Sequence, residues 1–414
     1  MPSKYNILFD NNDDNAFPDE KSFIDWLFSN KKALEDSEFL IDSNIDNIDV
    51  KRIYDVLDFL KFYTITKKKC NLKMTNYNDN LLSLKLSEDV KKAVSEFVRL
   101  NDNGKFLRGC LIALGYFSSG KHDDNYLDLS IAFEIFQTSI LIHDDIIDNA
   151  VMRRGMDTIP TSYKKHFVGK KVEDFLDKKN KVADSLGICI GDFGFYYAEE
   201  LIVNGYIDNP YLPQILSYYH QIAIKTCYGE IIDVILPFKE QFYESDVNLE
   251  DKIMEIYRLK TAWYSVIGPY CLGLILGGVS SKNVSKMESV LLNVGVAFQI
   301  KDDLLGIYGD ENIIGKSTNS DIEEYKQTIL YSYVMKTEFK DELLKYYGKS
   351  DLSKKDIDRV KAIFEKSGAK KYAEEKVNKI FNQSLKDIDS MDFIDKDSKK
   401  ILKGFIVYLE NRSK

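Results

Sequence analysis

The sequence has few of the residues that break helices or form covalent and metal cross-links. There are seven prolines, five cysteines and four histidines among 414 residues. Proline disrupts the interior of a helix, so its scarcity favours long helices. The cysteines show no CxxC spacing and the histidines no ligand pattern. We therefore expect reduced thiols in an intracellular compartment, and neither disulfides nor a zinc site.

An excess of positive charge and a signal peptide are missing too. The net charge is −9, which argues against nonspecific nucleic-acid binding. The N-terminus lacks the basic-then-apolar order of a secretory signal, so we expect a cytoplasmic protein, with an organelle left open. One apolar run, Ala262 to Ser280, is long enough to suggest a membrane span. It contains Pro269 and several glycines, and we interpret it as a buried core helix, not a span.

Helical spacing of apolar residues recurs along most of the chain, and no segment has the period of a β-strand. We expect a disordered extension over residues 1–20 and a single all-α domain over 21–414. Residues 65–80 and 165–180 are polar and read as loops or insertions. Helices are predicted to begin near residues 22, 53, 88 and 107, and to cover 127–148, 183–203, 211–236, 249–277, 285–307, 321–345, 354–365, 369–385 and 397–411.

The stretch from Ile131 to Gly155 carries the strongest chemical signal. An apolar helix ends in Asp144, Asp145 and Asp148 and is followed by two arginines. Asp144 and Asp148 lie one turn apart on the same helical face, where like charges repel unless a cation lies between them. Mg²⁺ is commonly held by a few carboxylates together with substrate phosphates. A solvated acidic helix end is the alternative for this motif taken alone.

A second apolar helix repeats this pattern near residue 300. The sequence FQIKDD ends in Asp302 and Asp303, and the sequence KTAWYS, with Lys260 and Thr261, lies between the two acidic helices. Two such helices facing each other would line a cavity with carboxylates. A lysine on an apolar helix needs a charged partner, which a metal–phosphate cluster would provide.

Taken together, the order of these motifs is specific. It reads GKFLRG (104–109), Gln137, DDIID (144–148), RRG (153–155), GEIID (229–233), KTAWYS (260–265) and FQIKDD (298–303). This order resembles the trans-isoprenyl diphosphate synthases, the farnesyl and geranylgeranyl diphosphate synthase family, over about residues 85–414. The resemblance implies an all-α bundle of the isoprenoid synthase type with a central active-site cavity, and a homodimer. It also implies head-to-tail condensation of isopentenyl diphosphate with dimethylallyl, geranyl or farnesyl diphosphate, using three Mg²⁺ ions.

Positions that match the family motifs carry the implied roles. The metal ligands would be Asp144, Asp145, Asp148, Asp302 and Asp303. The allylic diphosphate would be bound by Arg153, Lys260, Lys316 and Lys326, and isopentenyl diphosphate by Lys105, Arg108, Gln137 and Arg154. The catalytic set would be Arg153, Lys260, Thr261 and Gln299, of which the last three would face the developing allylic cation. Arg412 and Lys414 resemble a basic C-terminal tail that covers the site.

Three positions depart from the family pattern: Asn103 and Gly306, where relatives have glycine and aspartate, and Glu230, where they often have glutamine. Gly306 is the only support for a non-catalytic regulatory subunit, and the retained arginines and lysines argue against that reading. A class I terpene cyclase would need a different second metal motif in place of FQIKDD. A squalene-synthase-like enzyme would lack GKxxRG and RRG.

Product length should depend on the helix face that precedes Asp144. In the family, farnesyl synthases of the animal type close the tunnel with aromatic residues four and five positions upstream. Here those positions are Ile140 and Ser139, so the tunnel is predicted to continue towards Phe136. Ser139 bonding back to its own helix, with the floor supplied elsewhere, is the alternative. We therefore expect geranylgeranyl diphosphate as the product, with farnesyl diphosphate as intermediate or co-product, and a farnesyl diphosphate synthase as the alternative.

Overall fold

A computed structural model describes residues 50–102, 104–166, 176–238, 248–309, 320–349 and 352–411, and the expected extension over 1–20 lies outside these ranges. The described chain is almost entirely helical, which confirms the predicted all-α class. The helices are α1 (Val50–Ser83), α2 (Glu88–Asn101), α3 (Leu107–Ser118), α4 (Leu127–Ile147), α5 (Ile159–His166), α6 (Leu176–Gly205), α7 (Leu212–Ile235), α8 (Leu249–Ile256), α9 (Gly268–Leu276), α10 (Ser281–Tyr308), α11 (Ser320–Glu323), α12 (Ile329–Val334), α13 (Lys340–Leu343), α14 (Lys354–Lys366), α15 (Ala369–Asp389) and α16 (Lys396–Asn411). A 3₁₀ turn, Leu236–Phe238, follows α7, and a π-helix, Tyr257–Ile267, joins α8 to α9.

Residues 65–80, predicted as a polar loop, lie inside the continuous helix α1, so that prediction was wrong. Every fourth residue of this stretch is buried: Thr66, Cys70, Met74 and Asn78 are at most 3% exposed. One narrow stripe therefore packs on the core, while the other faces are polar. Two of the four stripe residues are polar, which hid the helical pattern.

The central helix α4 packs closely on α6 because α6 presents glycines to it. A Cβ on Gly194 would lie 2.1 Å from Oγ of Ser139, and a Cβ on Gly191 would lie 2.3 Å from the His143 ring. Phe136 contacts Phe195 of α6 on the same side, with ring centroids 5.6 Å apart. This face of α4 is thus occupied by α6, which leaves the Asp144 face for other elements.

The apolar run from Ala262 to Ser280 lies in the π-helix, in α9 and in the turn after it. Helix α9 crosses α3 at two glycines: a Cβ on Gly115 would lie 1.9 Å from the Tyr270 carbonyl oxygen, and one on Gly273 would lie 2.0 Å from that of Ile112. Most of the run is buried, as expected for a core helix. Within the described residues, none of the helices is long and apolar enough to span a membrane.

The predicted helix over 249–277 is continuous, but it changes to π-helical geometry at Tyr257 and back at Gly268. The region 321–345 is instead divided into three short helices, of which α12 begins after Thr328, whose hydroxyl accepts the Tyr331 amide. A carboxylate on α8 links the turn after α12 to α15. Glu250 accepts hydrogen bonds from Lys376 at 2.8 Å and Lys336 at 3.0 Å, and also from Tyr372.

The turn after α4 contains a minimal hairpin that the sequence did not predict. Strands β1 (Met152–Arg153) and β2 (Met156–Asp157) pair antiparallel. Arg154 and Gly155 between them have φ values of 54° and 73°, in the left-handed region that glycine tolerates best. The hairpin folds the arginine pair back over the end of α4.

Candidate active site

The arginine pair of the hairpin lies beside the carboxylates that end α4. Arg153 donates to Oδ1 of Asp145 at 2.6 Å and to Oδ2 of Asp144 at 3.1 Å. Its side chain is 11% exposed and that of Asp145 is 1% exposed. Arg153 of RRG and the carboxylates of DDIID therefore form one compact charged group.

Negative charge is in excess at this end of α4. Burial, followed by the charge of Asp144, raises the pKa of the Asp148 carboxyl to about 6, although Lys260, Lys326 and Arg153 oppose the shift. Asp144 and Asp148 repel each other when both are ionised, and a bound cation between them would stabilise both carboxylates. The donor set consists only of carboxylates, which suits a hard divalent ion such as Mg²⁺.

Lys260 reaches the same place from the π-helix. Its Nζ lies 2.7 Å from Oδ2 of Asp233, 2.8 Å from Oε2 of Glu230 and 3.5 Å from Oδ1 of Asp144. Burial alone would lower the pKa of this ammonium, but the three carboxylates outweigh burial and hold the pKa above its ordinary value. The predicted need of this lysine for a charged partner is met by carboxylates.

The placement of Lys260 depends on α7 and on the π-helix. A Cβ on Gly229 would lie only 2.2 Å from the Lys260 backbone nitrogen, so α7 contacts the π-helix backbone directly. Glu230 and Asp233 follow this contact on α7 and reach the ammonium. π-Helical turns are rare and often occur at functional sites.

A hydrogen-bonded chain links the KTAWYS and FQIKDD motifs. The Thr261 hydroxyl donates to Oε1 of Gln299 at 2.6 Å, and Nε2 of Gln299 donates to Oδ1 of Asp303 at 2.9 Å. Tyr257 donates to the other oxygen of Asp303 and accepts the Ile329 amide at 2.9 Å. These contacts fix the orientation of the Gln299 amide. Burial raises the pKa of the Asp303 carboxyl to about 7, against Lys326 and the Tyr257 hydrogen bond.

Lys326 connects the two acidic helices. The charge of Asp321 is the main cause that raises the pKa of the Lys326 ammonium; burial opposes it, and Asp303, Asp233 and Asp148 raise the pKa further. Since Asp148 belongs to α4 and Asp303 to α10, the two acidic motifs lie within electrostatic reach of one lysine. The structure thus brings one carboxylate of each acidic motif within electrostatic range of Lys326, and Asp302 precedes Asp303 on α10.

A second basic group lies on the side of α3 and α4. Arg108 donates to Oγ of Ser265 at 2.7 Å and lies 4.4 Å from the Tyr264 ring centroid. Arg154 donates to the Leu100 carbonyl at 3.1 Å. Glu134 of α4 is 4% exposed, and its carboxylate accepts a hydrogen bond from the Gly109 amide at 2.8 Å. The positive charges of Arg108 and Arg154 stabilise this carboxylate.

The remaining predicted residues divide between this region and undescribed parts of the chain. Gln137 is buried on α4, and Lys105 is exposed before α3. Lys316, Arg412 and Lys414 lie outside the described residues. Among the chain-length residues, Ile140 is half-buried one turn before Asp144 on the same face. Ser139 and Phe136 lie against α6, and the Ser139 hydroxyl bonds back to the Ile135 carbonyl at 3.1 Å.

Sequence reasoning missed three residues of this region: Tyr257, Glu134 and Asp233. Glu134 stands in the apolar run IAFEIF, and a carboxylate there had to be paired, so that signal was available. Asp233 belongs to the quoted motif GEIID but was given no role. Tyr257 had no such signal, because its partner Asp303 lies 46 positions away along the chain.

Residues 90–366 match the polyprenyl synthetase family. The chain belongs to this family. It is 27% identical over 291 residues to geranylfarnesyl diphosphate synthase of Aeropyrum pernix, covering 70% of this chain and 83% of that enzyme. It is 26% identical over 322 residues to farnesyl pyrophosphate synthase of Zea mays, covering 76% and 82% of the two chains. These matches confirm the predicted family and identify the chain as a short-chain prenyltransferase.

The fold also matches a solved structure. The crystal structure of geranylgeranyl pyrophosphate synthase from Corynebacterium glutamicum, complexed with isoprenyl diphosphate and magnesium, aligns with a TM-score of 0.74. The alignment covers 84% of this chain and 98% of that chain, at 23% sequence identity. It confirms the predicted all-α isoprenoid synthase fold.

Proposed function

We propose that this polyprenyl synthetase condenses isopentenyl diphosphate with allylic diphosphates and makes geranylgeranyl diphosphate, with farnesyl diphosphate as intermediate or co-product. The observation that carries the proposal is that Lys326 lies within electrostatic range of a carboxylate from each acidic motif, Asp148 and Asp303, while Lys260 lies beside Asp144. A diphosphate leaves only when its charge is neutralised, and this arrangement gathers cations and carboxylates for that purpose.

Each side chain has a role in this reaction. Asp144, Asp148 and Asp302 would hold Mg²⁺, with Asp145 and Asp303 in support. Mg²⁺, when bound, neutralises the diphosphate charge. No three histidine, cysteine or acidic side chains of the described residues are arranged to hold a metal by themselves. Phosphate oxygens of the substrate would therefore complete the ligand shell, as is usual for Mg²⁺.

The basic side chains would bind the two diphosphates. Arg153 is paired with Asp144 and Asp145, and Lys260 lies 3.5 Å from Asp144 while Glu230 and Asp233 hold its ammonium. Both cations therefore lie beside the carboxylates that would hold Mg²⁺, where they would bind the allylic diphosphate. Arg108 and Arg154, on the other side of α4, would bind isopentenyl diphosphate. Hydrogen bonds hold the side chains of Thr261 and Gln299 in place. Their oxygen atoms would stabilise the developing cation electrostatically, and because these side chains cannot move freely they would not react with it.

Product length is proposed to depend on Ile140 more than on Ser139. Ile140 shares the face of Asp144, whereas the space around Ser139 is filled by Gly194 of α6. A ring at position 140 would therefore enter the path of the growing chain. A ring at position 139 would have to displace α6 first, so Ser139→Phe is not expected to act on product length alone.

The activity test supplies isopentenyl diphosphate with each allylic diphosphate in turn, with and without Mg²⁺, and sizes the products by chromatography. We expect Mg²⁺-dependent formation of the twenty-carbon product, and loss of turnover in Asp144→Ala. Ile140→Phe should shift the output to fifteen carbons, whereas the neighbouring Leu141→Phe should not. A wild-type protein that stops at fifteen carbons would support the farnesyl diphosphate synthase alternative. An inactive wild-type protein would support the alternative of a regulatory subunit.

We also propose a homodimer formed through α6 and α7. Tyr196 of α6 and Tyr228 of α7 are 75% and 57% exposed. Other exposed apolar side chains on these neighbouring helices and on the 3₁₀ turn are Ile188, Ile224, Ile231, Val234 and Phe238. On α7 they recur at helical spacing and form one continuous apolar face, a feature typical of association surfaces.

Light scattering coupled to size-exclusion chromatography tests the dimer. The double variant Tyr196→Glu/Tyr228→Glu should elute as a helical monomer, because a charge on each helix opposes burial of the face. The matched control is Leu72→Glu, which replaces a 63% exposed side chain on α1. A monomeric wild type, or a double variant that stays dimeric, contradicts the proposal.

A further inference from the structure

Gly306 lies one turn after Asp302 on α10, where relatives carry the third aspartate of the second acidic motif. The space above Gly306 is already taken by a carboxylate. A Cβ built on Gly306 would lie 2.5 Å from Oδ2 and 3.4 Å from Cγ of Asp321. The first distance is close to that between the Cβ and a carboxylate oxygen within one aspartate. Asp321 therefore places an oxygen where the side chain of an aspartate at 306 would lie.

Asp321 is held at this position by its surroundings. It belongs to α11, whose Ile322 is fully buried and accepts the Gly348 amide at 2.8 Å. The Lys326 amide donates to the Asp321 carbonyl at 3.0 Å, and the Lys326 ammonium lies 3.7 Å from Oδ1. The Asp321 side chain is 16% exposed. Its second oxygen, Oδ2, is thus left directed at α10.

The charge of Asp321 acts on the same groups as both acidic motifs. Its Oδ1 lies 3.7 Å from the Lys326 ammonium, and Asp303 of α10 acts on the same ammonium. Lys326 in turn senses Asp148 at the end of α4. Asp321 is therefore part of the charged group around the site, although it lies outside the DDIID and FQIKDD motifs.

We propose that Asp321 supplies the second acidic motif with the carboxylate that Gly306 lacks, so that tight binding of the third divalent ion requires Asp321 together with Asp302. The inference rests on the proposed function, because it assumes metal binding with a diphosphate. It explains how this chain keeps a complete set of carboxylates while departing from the family pattern at Gly306. A purely structural role, pairing with Lys326, is the reading that the experiment must separate.

The experiment measures Mn²⁺ bound per subunit by equilibrium dialysis of the full chain at saturating inorganic pyrophosphate. Mn²⁺ accepts the same oxygen ligands as Mg²⁺. The wild type should bind three ions. Asp321→Asn should weaken the third by about 10- to 100-fold, the range seen when a carboxylate supporting a metal site is removed. Asp321→Ser should weaken the third ion likewise and also vacates the space above Gly306. Gly306→Asp in the Asp321→Ser background should therefore restore the third ion, because it returns a carboxylate to that space.

The control is Asp341→Asn, which removes an exposed carboxylate of α13 and should leave three ions bound. Circular dichroism checks that each variant is folded, and Asp321→Ser replaces Asp321→Asn if the latter is not. Unweakened binding in Asp321→Asn, or no recovery in the double variant, overturns the inference while the proposed function stands. A wild type that binds no Mn²⁺ with pyrophosphate overturns both.

Discussion

Gly229 of α7 is the position where one added methyl group should disturb the site most directly. An alanine there would place its Cβ 2.2 Å from the Lys260 nitrogen and 2.6 Å from the Lys260 Cα. Both contacts are with backbone atoms, which cannot rotate away. Gly229→Ala therefore has to separate α7 from the π-helix, and it moves Glu230 and Asp233 away from the Lys260 ammonium.

Two opposing terms set the size of the effect. Replacing a glycine inside a helix by alanine gains about 1 kcal/mol of helix stability. Overpacking a close-packed contact costs about 1–3 kcal/mol when side chains can adjust. A contact with rigid backbone lies at the upper end of that range, so we expect Gly229→Ala to lower the free energy of unfolding by about 2 kcal/mol.

Urea unfolding followed by circular dichroism measures this loss. The matched control is Gly187→Ala on α6, whose Cβ would meet the movable side chain of Ile146, with Cδ1 at 2.7 Å and Cγ1 at 3.3 Å, and would touch Pro160 at an ordinary contact distance of 3.5 Å. We expect the control to stay within about 1 kcal/mol of the wild type, because the helix gain offsets a small rearrangement. If Gly229→Ala is as stable as the wild type or more stable, the close approach of α7 to the π-helix is refuted.

Two further predictions concern carboxylates that accept several hydrogen bonds, Glu250 and Asp303. Burial acts to raise the pKa of Glu250, but hydrogen bonds from three neighbours outweigh it and lower the pKa from an ordinary 4.5 to about 2. The stability that this carboxylate gives the folded protein is therefore complete above pH 4.5 and is lost as the pH falls towards 2. Glu250→Gln should therefore lower the free energy of unfolding by about 2 kcal/mol at pH 7 and by little at pH 2. The control Glu375→Gln, at an exposed position, should leave the free energy of unfolding unchanged. Equal losses for Glu250→Gln at both pH values would contradict this prediction. Tyr257→Phe removes a hydrogen-bond donor that lowers the pKa of Asp303, so that pKa should rise. The acidic limb of the pH profile of kcat/KM should therefore move to higher pH. An unmoved limb would show that ionisation of Asp303 does not limit catalysis.

Local chemistry explains what the sequence by itself determined. The aspartate pairs stand at the ends of apolar helices, and helical geometry alone puts Asp144 and Asp148 on one face. The order of the motifs identified the family, and the scarcity of proline together with helical periodicity identified the all-α fold. Each motif involves residues within a few turns of each other, and the order of the motifs is read directly along the chain, so no knowledge of the tertiary structure was needed.

Tertiary packing decided the rest, because it brings together residues that the sequence keeps far apart. Residues 65–80 form a helix because a narrow stripe, made of every fourth residue, packs against the core. Ser139 and Ile140 are neighbours in sequence, but the glycines of α6 assign one to a helix contact and the other to the face of Asp144. The carboxylate of Asp321 reaches Gly306 across 15 positions of sequence, and no spacing rule within one helix predicts that approach.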